Sequence, residues 1–370
     1  MKLTLVTHYF PGHRGGVERV AWEIASRLAR TGAAEIVWHS SATDAPPADE
    51  PGLRCVCVPA CNIIERRLGL PFPLWSPAGL ARLVRAVRAS DVVHLHDFLY
   101  LPNLVAWAAA RLSGRPVVVT QHIGAIPFRN PLLRFVLAAA NRLLGRLVLG
   151  SAAQTLFVSR SVLEYFSGFV RFRRPPLLVP NGVDASVFAF AGETRQKSAK
   201  PLLLFVGRFV EKKGLPLLRR IAAQVPAARW VFVGWGPLDP SHWGLANVEV
   251  RGSLTREELV PLYQAADLLV LPSVGEGFPL VVQEAMACGT PALVSSETAQ
   301  AIPEAAGVLL SEALGPGDPA QRWAERISSL LSSPDTLRAL RVQVAQFARA
   351  HWSWERCAAR YEEVLRACAS

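Results

Sequence analysis

Two cations and two carboxylates carry the most chemistry in this chain. In PLLLFVGRFVEKKG (201–214) an apolar run ends at Gly207, Arg208 follows directly, and Lys213 precedes Gly214. The planar fork of an arginine and the point charge of a lysine, both beside a strand end, could grip a diphosphate. Two ordinary surface cations fit the same residues. The spacing lacks the GxxxxGKS or GxxxxGKT form of a Walker loop, which disfavours nucleotide hydrolysis. A second segment, DLLVLPSVGEGFPLVVQEAMACGTPALVS (267–295), reads as a strand, a glycine-bearing loop, a helix and another strand. Its helix should begin near Pro279, a residue suited to a first turn, and stop at Gly289. The free N–H groups of such a start would face an anion held over the strand ends. Glu276 and Glu284 lie eight positions apart. On one helix that is a rise of about 12 Å, beyond the roughly 5–9 Å between paired glycosidase carboxylates. They suit two separate hydroxyl-bearing parts of one ligand, the plainer alternative being a helix-start and a helix-surface glutamate.

The elements that must position these residues come in two similar series. KLTLVT is an opening strand, and a loop with Gly12, Gly15 and Gly16 follows. Val20, Ala21, Ile24 and Leu28 then recur at helical spacing, with Gly32 as a stop. EIVWHS, DVVHLH, PVVVTQH and QTLFVS read as further buried strands with helices between, the pattern of a parallel sheet covered on both faces. After VPNGVD the polar stretch AGETRQKSAK (191–200) is expected as a surface loop. PLLLFVGR, RWVFVGWG, NVEVRGS, DLLVLPS and TPALVS form the second series. Two doubly wound α/β sheets follow, with ligands expected beyond the carboxyl ends of the strands. A length of 370 residues agrees with two domains. They are expected at 1–178 and 179–353, with the amphipathic segment 354–370 crossing back to the first.

Composition narrows the class. The chain is 51% apolar and 19% charged, which disfavours disorder and coiled coil. Its net charge of +11 is unevenly placed: 21 basic and 10 acidic side chains precede position 181, against 19 and 19 after it. A basic first half points to an anionic partner such as phosphate, nucleic acid or an acidic membrane surface. The opening apolar run is too short for a signal-peptide core, and no apolar stretch approaches the roughly 18–20 residues that span a bilayer. Cys55, Cys57 and Cys61 crowd together without a CxxC pair, so reduced thiols in a cytoplasmic protein are expected rather than zinc ligands.

The segment 267–295 resembles the E-x7-E signature of retaining GT-B glycosyltransferases, particularly glycosyltransferase family 4. HRGGVERV, DVVHLHD, TQH, LFVS, VPNGVD, FVGR with Lys213, and FVGWG accompany it in family order, so the resemblance spans essentially the whole chain. It implies a GT-B fold, two Rossmann-like domains facing across a cleft, the first binding an acceptor and the second a nucleotide-sugar donor. It also implies sugar transfer to an acceptor hydroxyl with retained anomeric configuration, by front-face attack in which the leaving phosphate helps to deprotonate the acceptor. Carried over to this sequence, Arg208 and Lys213 would neutralise the donor diphosphate. The backbone at Gly277, Phe278 and Pro279 would help hold phosphates and sugar, Glu276 would bind sugar hydroxyls, and Glu284 would bind the ribose. Gly15 and Gly16 would let the first loop approach phosphate or acceptor without a Cβ. Base recognition would fall near Gly252 to Leu254. His122 resembles the family's histidine near the transferred sugar, although Gln121 before it departs slightly from the usual pattern. No cofactor or metal is implied, and no DxD motif is present.

On the acceptor side, His96 and Asp97 at the end of DVVHLHD, and His8 and His13 in the first loop, are the candidates. His94, His96 and Asp97 as a metal set is the lesser reading. Arg66, Arg67, Arg82, Arg85 and Arg88 surround LGLPFPLW, and Arg134, Arg142 and Arg146 punctuate a leucine-rich helix. That helix suggests peripheral contact with an anionic membrane and a lipid-linked or saccharide acceptor. A buried core helix with its arginines in water is the competing reading. Nucleic acid is not expected as a partner, since no aromatic-basic interleaving or recognition motif accompanies the charge. A regulatory, non-catalytic module or a sugar-nucleotide epimerase of the same fold are the alternatives to a transferase.

Overall fold

Runs such as KLTLV, VVHLH and LLLFV are what a strand needs when helices cover both of its faces, and the computed structural model places them there. It describes every residue except 14, 49, 69–71, 126–129, 193–199, 276–278 and 370, with the backbone alone at 66–68. The expected surface loop at 191–200 therefore lies largely outside the described residues. Two units are present, Met1–Asn181 with Trp354–Ser370, and Gly182–Ser353.

The first unit contains β1 (Lys2–Val6), β2 (Glu35–Ser41), β3 (Leu53–Val58), β4 (Ala60–Cys61), β5 (Leu74–Trp75), β6 (Val92–His96), β7 (Val117–Gln121), β8 (Gln154–Phe157) and β9 (Leu177–Leu178). Its helices are α1 (Gly16–Arg30), α2 (Ile63–Leu68), α3 (Pro77–Ala89), α4 (Leu101–Leu112), α5 (Pro131–Ser151) and α6 (Arg160–Ser167). The main sheet runs β3-β2-β1-β6-β7-β8-β9 and every pair in it is parallel; β4 and β5 form a separate antiparallel pair. Strand order reverses between β1 and β6, the switch point where a doubly wound sheet holds ligands. Val20, Ala21, Ile24 and Leu28 of α1 are buried as their spacing predicts. The opposite core gathers Val6, Leu83, Val93, Leu95, Phe98 and Phe166. β3 (LRCVCV) is a strand that hydrophobic continuity does not announce. It is the sheet edge, with buried Leu53 and Val58 around half-buried and exposed positions.

The second unit repeats the plan with β10 (Leu202–Val206), β11 (Arg229–Val233), β12 (Val248–Arg251), β13 (Leu268–Leu271), β14 (Ala292–Ser295) and β15 (Leu310–Glu312). They lie in the order β12-β11-β10-β13-β14-β15, all parallel. Helices α7 (Leu215–Gln224), α8 (Arg256–Ala265), α9 (Leu280–Ala287), α10 (Ser296–Gln300), α11 (Pro319–Leu331) and α12 (Pro334–His351) surround it. The start of α8 is fixed by a capping box between Thr255 and Glu258. The switch point lies between β10 and β13.

Past Ser353 the chain rejoins the first unit as α13 (Trp354–Ala369), which packs along α1. It buries Trp354, Tyr361 and Leu365, and the Thr120 hydroxyl donates to the Tyr361 hydroxyl at 3.2 Å. Among the described residues no helix is long and apolar enough to cross a membrane.

Gly214 ties the second switch point together. Its φ of +79° is left-handed, and a Cβ there would overlap the Pro272 carbonyl oxygen and stand 2.8 Å from Pro272 Cγ. Only glycine lets the segment after β10 come this close to the one after β13. Gly214→Ala should therefore destabilise the protein by about 1–3 kcal/mol through backbone strain and overlap. A urea midpoint equal to wild type would contradict this.

Candidate active site

At the first switch point, burial governs the chemistry. His8 follows β1, is 3% exposed, and sets Nε2 2.9 Å from Glu18 Oε1. Burial opposes charge on Glu18, but the His8 imidazole beside it holds the carboxyl below its ordinary range. The His8 ring also stacks on Tyr100 at 3.9 Å between centroids. At the end of β6, His96 Nδ1 lies 2.9 Å from His122 Nε2. Burial keeps both rings neutral, pushing His122 down to about 3 and His96 well below the usual histidine range. One of the two nitrogens must then donate to the other.

Asp97 adopts φ 57°, unusual for a residue with a side chain. Its Oδ1 accepts from the backbone N–H of His122 at 2.9 Å and of Ile123 at 3.4 Å. Burial raises its carboxyl to about 6, against the pull of those N–H groups and of His8. Asn103, fully buried, donates its amide to the His96 and Asp97 carbonyls at 2.8 and 2.7 Å and so fixes this turn. Five buried polar atoms in this cluster have no hydrogen-bond partner among the described residues: His8 Nδ1, Glu18 Oε2, His96 Nε2, Asp97 Oδ2 and Asn103 Oδ1. Buried orphans of this kind call for water, an ion or a polar ligand.

The other candidates of this unit sit differently. His13 lies one residue layer away, stacked on Tyr9 at 3.7 Å, with Asp44 at 3.0 Å and Glu65 at 3.2 Å. A Cβ on Gly15 would overlap the Glu18 carboxylate, whereas one on Gly16 would meet open space. His94 lies tilted against the His96 ring, 4.5 Å between centroids, and spends Nε2 on Thr120 Oγ1 at 2.8 Å. Among the described residues no three His, Cys, Asp or Glu side chains gather as a metal set would.

The second switch point assembles the cation and helix-start residues. Arg208 leaves β10 exposed and stacks over Trp235, 4.8 Å from the ring centroid. Lys213 folds back so that its Cε lies 3.8 Å from where a Gly207 Cβ would be. The Val274 N–H donates to the Lys212 carbonyl at 2.9 Å, joining the loop after β10 to the loop after β13. Pro279 is buried at the N-cap of α9, which has no side-chain cap. Glu284, on the second turn of α9, is 6% exposed and accepts from the Tyr263 hydroxyl at 3.0 Å. Leu254 is half-buried immediately before α8. Glu276, Gly277 and Phe278 lie outside the described residues.

Sequence reasoning passed over Glu18, Tyr100 and Asn103. The available signal was polarity in the wrong place: Glu18 inside a core-facing helix, and Asn103 in the apolar run LPNLVAW.

Comparison with known proteins agrees with this architecture. The family model described as Glycosyltransferase Family 4 matches residues 14–187, and the one described as Glycosyl transferases group 1 matches 200–333. The D-inositol 3-phosphate glycosyltransferase of Thermobispora bispora is 32% identical over 393 residues, covering 95% of this chain and 90% of that one. The enzyme of that name from Mycolicibacterium smegmatis is 30% identical, over 92% and 84% of the two chains. Among solved structures, sucrose-phosphate synthase from Thermosynechococcus elongatus superposes with a TM-score of 0.79 at 21% identity, covering 99% and 98%. Anabaena HepE in complex with UDP and glucose superposes with a TM-score of 0.74 at 18% identity, covering 99% and 100%. From this similarity along nearly its whole length, on two sheets of one strand order, the chain belongs to glycosyltransferase family 4 and has the GT-B fold.

Proposed function

We propose that this glycosyltransferase takes a nucleotide-diphosphate sugar on Gly182–Ser353 and passes the sugar to an acceptor hydroxyl bound by Met1–Asn181, with retention of configuration. The observation that carries the reading is the joining of two loops at the β10–β13 switch point, which ties the loop bearing Arg208 and Lys213 to the segment leading into α9 at Lys212 and Gly214. Breaking the anomeric C–O bond leaves negative charge on the diphosphate. Arg208, Lys213 and the uncapped N–H groups of α9 stabilise that charge. Glu276 binds sugar hydroxyls, and Glu284, oriented by Tyr263, binds the ribose. Gly277, Phe278 and Pro279 hold the phosphates, and Leu254 lies by the base. The acceptor oxygen forms the new bond to the anomeric carbon while its proton passes to the leaving phosphate. The two side-chain cations supply the positive charge, and the reading invokes neither a metal nor a cofactor. The Anabaena HepE complexes with UDP and glucose and with UDP-glucose support a nucleotide-sugar donor.

His122 and the orphaned atoms of His8, His96 and Asp97 receive the acceptor, with Gly15, Gly16 and His13 flanking that site. The names of the relatives, which specify D-inositol 3-phosphate, support a phosphorylated acceptor. A lipid-linked or saccharide acceptor, used at the inner face of the plasma membrane, is the second reading, and α5 favours it. Leu132, Phe135, Val136, Leu143 and Leu147 are 51–71% exposed on one face of that helix, opposite buried Asn141, Gly145 and Val148, with Arg142 and Arg146 at its flank.

Arg208→Ala and Lys213→Ala should each cost roughly 2–4 kcal/mol in kcat/KM, about 30- to 800-fold, measured across UDP-, GDP- and ADP-sugars. Unchanged turnover in both variants would reject the donor site. Asp97 should give a pH signature. Its carboxyl titrates near 6 when folded, so the stability of its neutral form, full below the unfolded value of about 3.9, is lost as pH rises through 6. Relative to Asp97→Asn, the wild type should lose at most about 3 kcal/mol between pH 4 and 7 and then level off. A constant gap in urea midpoints over that window would refute the assignment. Binding to anionic liposomes should exceed binding to neutral ones and weaken with salt. Equal binding at both charges would remove the membrane reading.

A further inference from the structure

A cavity of ≈ 550 Å³ opens on the first unit between β2, the edge strand β3 and α3. It shares no residue with the proposed donor and acceptor sites. His39 of β2 lines it and is 2% exposed, yet neither of its ring nitrogens has a hydrogen-bond partner among the described residues. A neutral imidazole carries one N–H and one bare nitrogen, and leaving both buried and unmatched is costly.

Three arginines line the same cavity: Arg54 on β3, and Arg82 and Arg85 on one face of α3. The register pairs Val37 with Arg54 and His39 with Val56, which puts Arg54 and His39 on the same face of the sheet. Among the described residues no carboxylate lines the cavity, and none of the three arginines is ion-paired. Burial, then the charges of Arg54 and Arg82, hold the His39 imidazole down at about 4. A charge on an edge strand guards against strand pairing, which could account for Arg54. It accounts neither for two further arginines on α3 nor for an unmatched imidazole behind them.

We propose that this pocket binds a phosphate group. The guanidinium forks would take its oxygens in pairs, and the His39 N–H would supply one more donor. A soluble phosphorylated molecule or a phospholipid headgroup presents the same chemistry. Because the pocket is built without Arg208, Lys213 or the β1–β6 cluster, it stands whether or not the proposed transfer reaction does.

Arg54 is exposed and lines this cavity, whereas Arg111 on α4 is exposed and does not. The test is modification of the full-length protein with phenylglyoxal, read by peptide mass spectrometry, with inorganic phosphate, phosphatidylglycerol vesicles or phosphatidylcholine vesicles present. Phosphate should slow modification of Arg54 relative to Arg111, equally in wild type and in Arg208→Ala/Lys213→Ala, which lacks the donor-site cations. In Arg82→Gln/Arg85→Gln, the phosphate needed for protection should rise about tenfold or more. Protection by phosphatidylglycerol but not by phosphate or phosphatidylcholine would identify a lipid headgroup as the source. Absence of protection by any of them, or protection that persists unchanged in Arg82→Gln/Arg85→Gln, would overturn the proposal.

Discussion

A strand covered by helices on both faces gives its polar groups no water, so each must find a partner in the sheet or move to the strand end. Both outcomes occur within β6. His94, inside the strand, bonds Thr120, which in turn reaches Tyr361 of α13. His96 and Asp97, at its carboxyl end, keep polar atoms unmatched. In the second unit β10 and β13 contain no polar residue, and Arg208 and Lys213 lie in the loop that follows β10. The positions open to chemistry are thus set by the burial of everything before them.

That constraint also explains which features were legible. The interior strands of the second sheet are continuous apolar runs and those of the first are rich in apolar residues, so they could be read directly, as could α1 with its 3.6-residue period. The helix after β13 could be placed because Pro279 and Gly289 bracket it. β3 could not, because an edge strand buries Leu53 and Val58 while Arg54 and Cys57 face solvent, leaving no continuous run. Cys55 and Cys57 invited a question about metal, and their spacing of two is instead the alternation of a strand. Within the site, single functional residues were visible, but the helpers were not. Asn103 acts on backbone carbonyls of the preceding turn, and no motif spacing encodes that contact.

The surplus positive charge resolves into distinct local uses. The proposed diphosphate grip lies in the electrically balanced half and owes nothing to net charge. On α5, Arg142 stands over Phe169 at 5.6 Å and the Arg146 Nε donates to the Phe169 carbonyl at 3.0 Å. Both guanidinium groups lean toward one neighbouring segment, which leaves the leucine face of the helix bare. Around His39 the arginines instead converge on a cavity. Similar numbers of cations therefore frame an apolar surface in one place and a polar pocket in another.

The first unit is discontinuous in sequence, whereas the second is one uninterrupted stretch, Gly182–Ser353. During synthesis the second unit is complete before Trp354 emerges, while the first still lacks α13. Until that helix arrives, Thr120 has no Tyr361 to receive its hydroxyl, and the apolar stripe of α1 lies uncovered along one side. The β7 end, from which His122 hangs, is therefore finished last. On the ribosome Gly182–Ser353 can therefore close its core before Met1–Asn181 does, although it is the later of the two to be translated.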